Sequence, residues 1–314
     1  MPSPLIVLVG PTAVGKSSLA LALAERVGGE IVAADSMQVY RRLDIGTAKP
    51  GPEERRRVPH HLLDLMDPDQ SFTAADYAPR ARTAIADIRR RGHLPIIVGG
   101  TGLYVRALFR GLFDGPGEQP SIREALRQEA TKVGVPALHQ RLQAFDAEAA
   151  ASIHPNDLFR VVRALEVFAT SGRPISALRV EARRNHRLVP GPVVWFGLER
   201  DRQELYQRIE MRGEEMLARG LLHEVRSLLD RGYSTALKPL RAIGYRHMIE
   251  HLKGQTSLDA AVARLKRDTR RYAKRQLTWF RHEEQIAWHR VEGPRFTEGV
   301  LGPFIDRIES AWAR

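Results

Sequence analysis

Apolar residues fall along this chain in two rhythms. The first is the short uninterrupted run: Leu5-Ile-Val-Leu-Val9, Glu30-Ile-Val-Ala-Ala-Asp35 and Leu94-Pro-Ile-Ile-Val98. A brief apolar run without polar alternation is the pattern of a strand buried on both faces, as in a parallel sheet. The second rhythm is helical. Ser18 to Arg26 is rich in Ala and Leu, and Thr73 to Arg91 has cap residues Thr73 and Asp76 at one end and Arg89-Arg90-Arg91-Gly92 at the other. Strand, helix, strand, helix, strand predicts an α/β fold with a parallel sheet and flanking helices.

The pattern changes near Gly111. Gly115-Pro-Gly and Pro120 punctuate the chain, and no further strand is predicted before Val193-Val-Trp-Phe196. The interval holds amphipathic segments at Ile122–Ala130, Pro136–Ala144 and Asn156–Thr170. This predicts a helical insertion domain over 115–190 between two sheet strands, with 1–114 and 191–314 forming the core. Beyond Phe196 the chain reads as mostly helical. A length of 314 residues suits two domains.

Composition narrows the class. The absence of cysteine excludes a disulfide framework and a thiolate metal site. With 43% hydrophobic and 27% charged residues the chain can bury a core. The run Leu5–Val9 is far too short to span a bilayer, and no basic segment precedes it. The expectation is therefore a soluble, cytoplasmic protein, and nothing requires more than a monomer.

Charge adds an address. Lys plus Arg total 49 against 37 Asp plus Glu, a net +12. From Lys238 to Arg281 there are 12 Lys/Arg against only Glu250, Asp259 and Asp268, which is +9 in 44 residues. Within this segment Leu258, Val262, Leu265, Thr269 and Tyr272 recur at helical spacing on one face. Arg264, Arg267, Arg271 and Arg275 recur on another. Two readings fit that second stripe: a solvated helix face, or a row of guanidinium forks suited to phosphate. The scarcity of acids nearby favours a polyanionic partner.

The strongest local chemistry is Gly10-Pro11-Thr12-Ala13-Val14-Gly15-Lys16-Ser17, a full match to G-x-x-x-x-G-K-[ST] between a strand and a helix. Glycines let backbone N–H groups turn inward as an anion nest, and the helix start adds the positive end of its dipole. Lys16 supplies a point charge, and Ser17 is the candidate ligand for Mg²⁺. The motif specifies a diphosphate or triphosphate and leaves the reaction open. A P-loop kinase or ATPase would close a second apolar strand on an acid, whereas Leu94–Val98 is followed by Gly99-Gly100-Thr101. Asp35 does end a strand. It is either a base for an acceptor or a solvated loop acid. His60-His61 are adjacent on the chain and do not face one site, so they are assigned to structure. Trp279, Phe280 and Trp288 are read as core aromatics.

Longer strings carry a family resemblance. Asp35-Ser-Met-Gln-Val-Tyr40, Asp44-Ile-Gly-Thr-Ala-Lys-Pro50, Val58-Pro-His-His-Leu62 and Val98-Gly-Gly-Thr-Gly-Leu-Tyr104 are similar to blocks of the tRNA dimethylallyltransferases. So are Arg163-Ala-Leu-Glu-Val167, Ser171-Gly-Arg-Pro-Ile-Ser176, Ala242-Ile-Gly-Tyr-Arg246 and Arg271-Tyr-Ala-Lys-Arg-Gln-Leu-Thr-Trp-Phe-Arg281. The resemblance implies a P-loop NTPase-like sheet and a helical domain that grips the anticodon stem-loop. It implies transfer of the dimethylallyl group from dimethylallyl diphosphate to N6 of the adenosine immediately 3′ of the anticodon, in tRNAs reading codons that begin with U. Diphosphate leaves, so the phosphate loop would hold a leaving group. The lack of Cys excludes the zinc finger carried by many eukaryotic relatives, and the bacterial form is implied.

By the same resemblance Asp35 is the general base, while Lys16, Thr101 and Arg212 serve the diphosphate. The family commonly has Val-Asp after that arginine, where this chain has Gly213-Glu214. The implied tRNA contacts are Asp35, Ser36, Met37, Gln38, Thr101 and Arg123; Phe159, Arg160, Val161, Val162 and Arg163; and Arg241, Gly244, Tyr245 and Arg246. Arg267, Arg271, Lys274 and Arg275 in the basic segment join them. The target base must leave its stack to react, and Tyr104 and Gln38 are candidates to stack on it or read its edge. Three alternatives are a P-loop small-molecule or nucleotide kinase, an adenylate isopentenyltransferase and a non-catalytic RNA-binding protein. The missing acid weighs against the first, the insertion and the +9 segment against the second, and the intact loop with Asp35 and Thr101 against the third.

Overall fold

The computed structural model describes residues 3–113, 115–185, 189–293 and 296–312. Contacts divide the chain into two compact units, Met1–Leu108 with Val189–Arg314, and Phe109–Leu188.

The first unit is built on six parallel strands: β1 (Leu5–Val9), β2 (Gly29–Ala34), β3 (His60–His61), β4 (Leu94–Gly99), β5 (Val193–Glu199) and β6 (Ala287–Arg290). Their order across the sheet is β3-β2-β4-β1-β5-β6. β1 is buried at every position, as its unbroken apolar run requires. It pairs with β4 on one side and β5 on the other. The helices of this unit are α1 (Lys16–Val27), α2 (Pro52–Arg57), α3 (Ala74–Arg90) and α4 (Gly102–Arg110), whose last two residues belong to the second unit. The second unit then adds α5 (Pro120–Val133), α6 (Val135–Phe145), α7 (Ala147–Ser152), α8 (Leu158–Ser171) and α9 (Ile175–Asn185). Back in the first unit come α10 (Arg202–Ala218), α11 (Leu221–Asp230), α12 (Tyr245–Leu252), α13 (Leu258–Arg281) and α14 (Phe296–Trp312). The capping pair expected for α3 is present: the Thr73 amide donates to Asp76, and the Asp76 amide to the Thr73 hydroxyl.

The elements that no sequence pattern announced are β3, β6, α2, α4, α7 and α9. β3 is two residues long, and β6, Ala-Trp-His-Arg, is a half-buried edge strand with no apolar run. Such segments carry no periodicity to read. His60 and His61 form β3. The His61 ring lies 2.6 Å from the Glu30 carboxylate, and Arg91 reaches the same carboxylate. Of the three aromatics expected in the core, Phe280 is fully buried, whereas Trp279 and Trp288 are half-buried: Trp279 lies against Gly102 with Arg106 over its ring, and Trp288 packs on Gly197.

The second unit has its own core around Leu138, Leu142, Val161, Leu165 and Ile175. Phe145 and Phe168 stack at its edge, 3.8 Å between ring centroids. Glu166 is fully buried there and is met by Arg123 at 2.9 Å and Arg163 at 2.7 Å. A buried carboxylate persists only when paired in this way.

Candidate active site

The phosphate loop owes its shape to positions where a side chain cannot exist. Gly10 has φ +147°, and a Cβ there would lie 2.6 Å from the Leu198 carbonyl oxygen. Gly15 has φ +111°, and a Cβ would strike the Phe296 ring at 2.3 Å. Arg200, itself buried, stacks over Phe296 and fixes that wall. The loop leads into the first turn of α1, which leaves the backbone N–H groups of that turn free for an anion. Val14 turns away and joins the core under the loop.

Lys16 donates to the carbonyls of Gly10 at 2.9 Å and Pro11 at 2.8 Å. Burial, with Arg212 adding repulsion, lowers its pKa to about 7, and Asp35 pulls the other way. Arg212 comes from α10 and faces the same two groups. Burial holds its pKa below the usual arginine range, against the opposing pull of Asp35 and Glu215. No hydrogen bond or ion pair to Arg212 occurs among the described residues. A largely enclosed guanidinium whose donors are committed to no protein acceptor is available to an anion. The Gly213-Glu214 departure does not displace it: Gly213 packs on α13 beside Leu265 and Lys266, and Glu214 pairs with Lys266 at 2.7 Å.

Asp35 sits at the end of β2. Its Oδ1 accepts from the amides of Met37 at 2.8 Å and Gln38 at 3.3 Å, which pins the carboxylate in a turn and leaves Oδ2 uncommitted. The Ser36 amide donates to Thr101 Oγ1 at 3.1 Å, and the Thr101 amide to the Ala34 carbonyl. Asp35 and Thr101 thus lie on two loops stitched together where β2 and β4 end. Gln38 donates to the carbonyls of Thr47 and Ala48, so its amide oxygen is the end left to read a ligand.

Thr12, Ala13, Gly15, Lys16, Ser17, Asp35, Gln38 and Arg212 line one cavity of about 310 Å³. Three further lining residues were not among the expected site residues: Arg208, which no motif marks, and Tyr272 and Gln276, which lie within the Arg271–Arg281 family string. Arg208, one helical turn before Arg212, donates to the Ala13 carbonyl at 2.9 Å. Tyr272 presents its hydroxyl to Thr101 and Gln276, and burial pushes its pKa up to about 12. Gln276 contacts the phosphate loop itself. The i, i+4 spacing of Arg208 and Arg212 was the one signal available in sequence for Arg208.

Other expected site residues are placed differently. Tyr104 is buried, and its ring face is taken by Tyr77, 4.5 Å away and nearly parallel, so it packs and does not stack on a base. Tyr245 is fully buried, and its hydroxyl donates to Glu224 at 2.6 Å. Glu224 also accepts from the amides of Asp44, Ile45 and Gly46, so Tyr245 braces the loop after Asp35 from behind. Val161 and Val162 face the core of the second unit, which removes their side chains from any RNA contact. Phe159 beside them is 70% exposed, and Arg160 is exposed as well. Arg123 is largely enclosed by its pairs with Glu118 and Glu166.

The basic face of α13 also differs from expectation. The acids missing from its sequence come from neighbouring helices: Glu250 meets Arg264, Glu214 meets Lys266 and Glu210 meets Arg270. Asp268 gathers Arg246, Arg267 and Arg271. Lys274 and Arg275 are exposed and have no ion pair among the described residues. Arg241 and Arg246 line a separate surface depression with Lys238 and Glu250.

A parallel α/β sheet, a glycine loop opening a helix at the carboxyl end of its first strand, and two cations converging there define a P-loop protein built to hold a diphosphate or larger anion. The turn that closes β4 carries glycines where a P-loop kinase would carry an acid, and a Cβ at Gly99 would lie 2.1 Å from the Ala34 carbonyl oxygen. Comparison with known proteins makes the class specific. A family model described as IPP transferase matches residues 38–283. The tRNA dimethylallyltransferase of Geobacter metallireducens is 54% identical over 299 residues, covering 95% of each chain, and that of Citrifermentans bemidjiense is 52% identical over 96% of each. The crystal structure of the tRNA isopentenylpyrophosphate transferase of Bacillus halodurans superposes with a TM-score of 0.70 at 40% identity over 98% of each chain. A eukaryotic dimethylallyltransferase acting on tRNA gives 0.72 at 28% identity, over 92% of this chain and 74% of the other. The chain belongs to the IPP transferase family.

Proposed function

We propose that this protein transfers the dimethylallyl group of dimethylallyl diphosphate to N6 of the adenosine immediately 3′ of the anticodon, in cytoplasmic tRNAs reading codons that begin with U. The observation that carries the reading is the convergence of Lys16 and Arg212 on a phosphate loop, with the free Oδ2 of Asp35 in the same cavity. N6 attacks the carbon that bears the diphosphate, the C–O bond breaks, and the bond pair leaves on oxygen. Lys16, Arg212 and the first amides of α1 stabilise that charge. Asp35 takes the proton that N6 loses. Thr101 orients the Asp35 loop through the Ser36 amide and stands ready to bond the diphosphate near the breaking bond.

No group of three or more His, Asp or Glu able to hold a metal ion occurs among the described residues. Ser17 is the candidate protein donor for Mg²⁺, and diphosphate oxygens would be its further ligands, as is usual for this ion. Held there, Mg²⁺ would supply charge neutralisation for the leaving diphosphate. The tRNA surface in this reading comprises Asp35 to Gln38, Arg241, Gly244, Arg246, Arg267, Arg271, Lys274 and Arg275, with Phe159, Arg160, Arg163 and Arg123 on the second unit. No described helix is long and apolar enough to cross a membrane.

The test is transfer of radiolabel from dimethylallyl diphosphate to unmodified tRNA with Mg²⁺, followed by nucleoside analysis for N6-isopentenyladenosine. Asp35→Asn should lower turnover by about 10²–10⁴-fold, far more than it lowers tRNA affinity. Equal losses in turnover and affinity would remove Asp35 as the base. Label on no tRNA, with ATP consumed instead, would overturn the reading in favour of a kinase.

A further inference from the structure

Gln276 lies in the middle of the basic helix α13, within a string that the family resemblance assigns to tRNA contact, yet it is buried. Its Oε1 accepts from the Thr12 amide at 2.8 Å, and its Nε2 donates to the Gly100 carbonyl at 3.0 Å. One side chain thus joins two loops that are distant in sequence: the phosphate loop and the turn after β4 that carries Thr101. The turn is shaped around it, since any Cβ at Gly100 would collide with the Gln276 amide nitrogen. One helical turn earlier, Tyr272 turns its hydroxyl toward Thr101 and Gln276.

We propose that Gln276 is a positioning residue for the diphosphate, clamping the phosphate loop to the Thr101 turn, and that it makes no contact with tRNA. The inference rests on the proposed function for the identity of the bound anion. Chemically, the clamp uses both ends of the amide. Committing the Thr12 N–H to Gln276 fixes the loop in the conformation that turns the later amides inward as a nest. Holding the Gly100 carbonyl fixes the turn from which Thr101 supports Ser36 and Asp35. A purely tRNA-facing residue would have an exposed polar end, and Gln276 has none.

An isosteric substitution separates this role from a structural one. Gln276→Glu keeps the acceptor for the Thr12 amide but, when ionised, sets a carboxylate oxygen against the Gly100 carbonyl. Burial favours the protonated form of the introduced carboxyl, which restores the donor. Inorganic diphosphate with Mg²⁺ is the probe, titrated calorimetrically at pH 8 and pH 6 into wild type, Gln276→Glu and Gln276→Met; tRNA affinity is measured in parallel by filter binding. At pH 8, Gln276→Glu should bind diphosphate about tenfold more weakly than wild type, and at pH 6 the ratio should shrink to about twofold. Gln276→Met should stay about tenfold weaker at both pH values, and all three should bind tRNA alike. Failure of wild type to bind diphosphate would overturn the proposed function itself. Wild-type binding with an undiminished Gln276→Glu at pH 8, or variants that lose tRNA affinity while keeping diphosphate affinity, would overturn the clamp.

Discussion

Lys16 gives the sharpest quantitative handle on the site. Its ordinary pKa of 10.5 falls to about 7, chiefly through burial and then through Arg212. At that value the ammonium is about nine-tenths protonated at pH 6, half at pH 7 and about a tenth at pH 8. A diphosphate beside Nζ favours the charged form and drives the pKa back up. Binding must therefore take up a proton: about 0.1 at pH 6, 0.5 at pH 7 and 0.9 at pH 8. Linkage fixes the sign. The free site loses its charge as pH rises through about 7, so affinity is greatest below that pH and declines above it. Between pH 6 and pH 8 the decline attributable to Lys16 is about tenfold, or about 1.4 kcal/mol.

The assay is calorimetry of inorganic diphosphate with Mg²⁺ in buffers of different ionisation enthalpy, which counts protons directly. The control is Lys16→Arg, whose guanidinium stays charged throughout this range. Protons exchanged by the ligand itself are common to both proteins and cancel in the difference. Wild type should take up about 0.8 to 0.9 more protons than the variant at pH 8, and almost none more at pH 6. Identical uptake at pH 8 would refute the argument, because it would mean that Lys16 is already charged before the ligand arrives.

Other substitutions test separate parts of the site. Arg212→Met should weaken binding of dimethylallyl diphosphate by about ten- to hundredfold, the usual scale for a charge-assisted hydrogen bond, with tRNA affinity unchanged in the same preparation; an unaltered KM would return Arg212 to scaffolding. Glu224→Ala frees three loop amides and the Tyr245 hydroxyl, so thermal unfolding should shift to lower temperature by the equivalent of about 2–3 kcal/mol. An unchanged midpoint would show the loop is held by something else. Lys274→Ala with Arg275→Ala should reduce the slope of log tRNA affinity against log salt by about 1.4–1.8, at about 0.7–0.9 for each phosphate no longer neutralised. Arg267→Ala, whose guanidinium already faces Asp268, should reduce it by less.

What sequence could and could not reveal follows from how far apart the interacting residues lie. β1, β2, β4 and β5 were legible because strands buried on both faces write their burial as an unbroken apolar run. The phosphate loop was legible because eight consecutive residues make it, and Asp35 because it ends such a run. Gln276 was not legible in its role, since Thr12 lies 264 positions away. Family strings mark positions without saying which way a side chain points. Gly244-Tyr245-Arg246 shows the limit: Tyr245 turns inward to Glu224, while the next residue, Arg246, turns outward to Asp268. Along Phe159 to Val162, the turn of α8 divides a single expected RNA-binding stretch into exposed Phe159 and Arg160 and core Val161 and Val162.

The basic helix shows why a charge count overstates the charge available to a partner. Twelve cations against three acids in the segment Lys238–Arg281 suggested a row of free guanidinium groups. Folding brings Glu210 and Glu214 from outside the segment against its cations, while within it Glu250 pairs with Arg264 and Asp268 draws three arginines toward itself. These are partly exposed pairs, each worth well under about 1 kcal/mol, so a phosphate can compete for any one of them. Such competition releases no net charge, because the carboxylate left behind must recover a counter-ion from solution. The counterions displaced by tRNA therefore track the surplus of cations over acids on the folded surface. The salt slope of wild type should then fall below the count of arginines on α13, and Lys274 and Arg275, which face no such acid, should account for a disproportionate share of it.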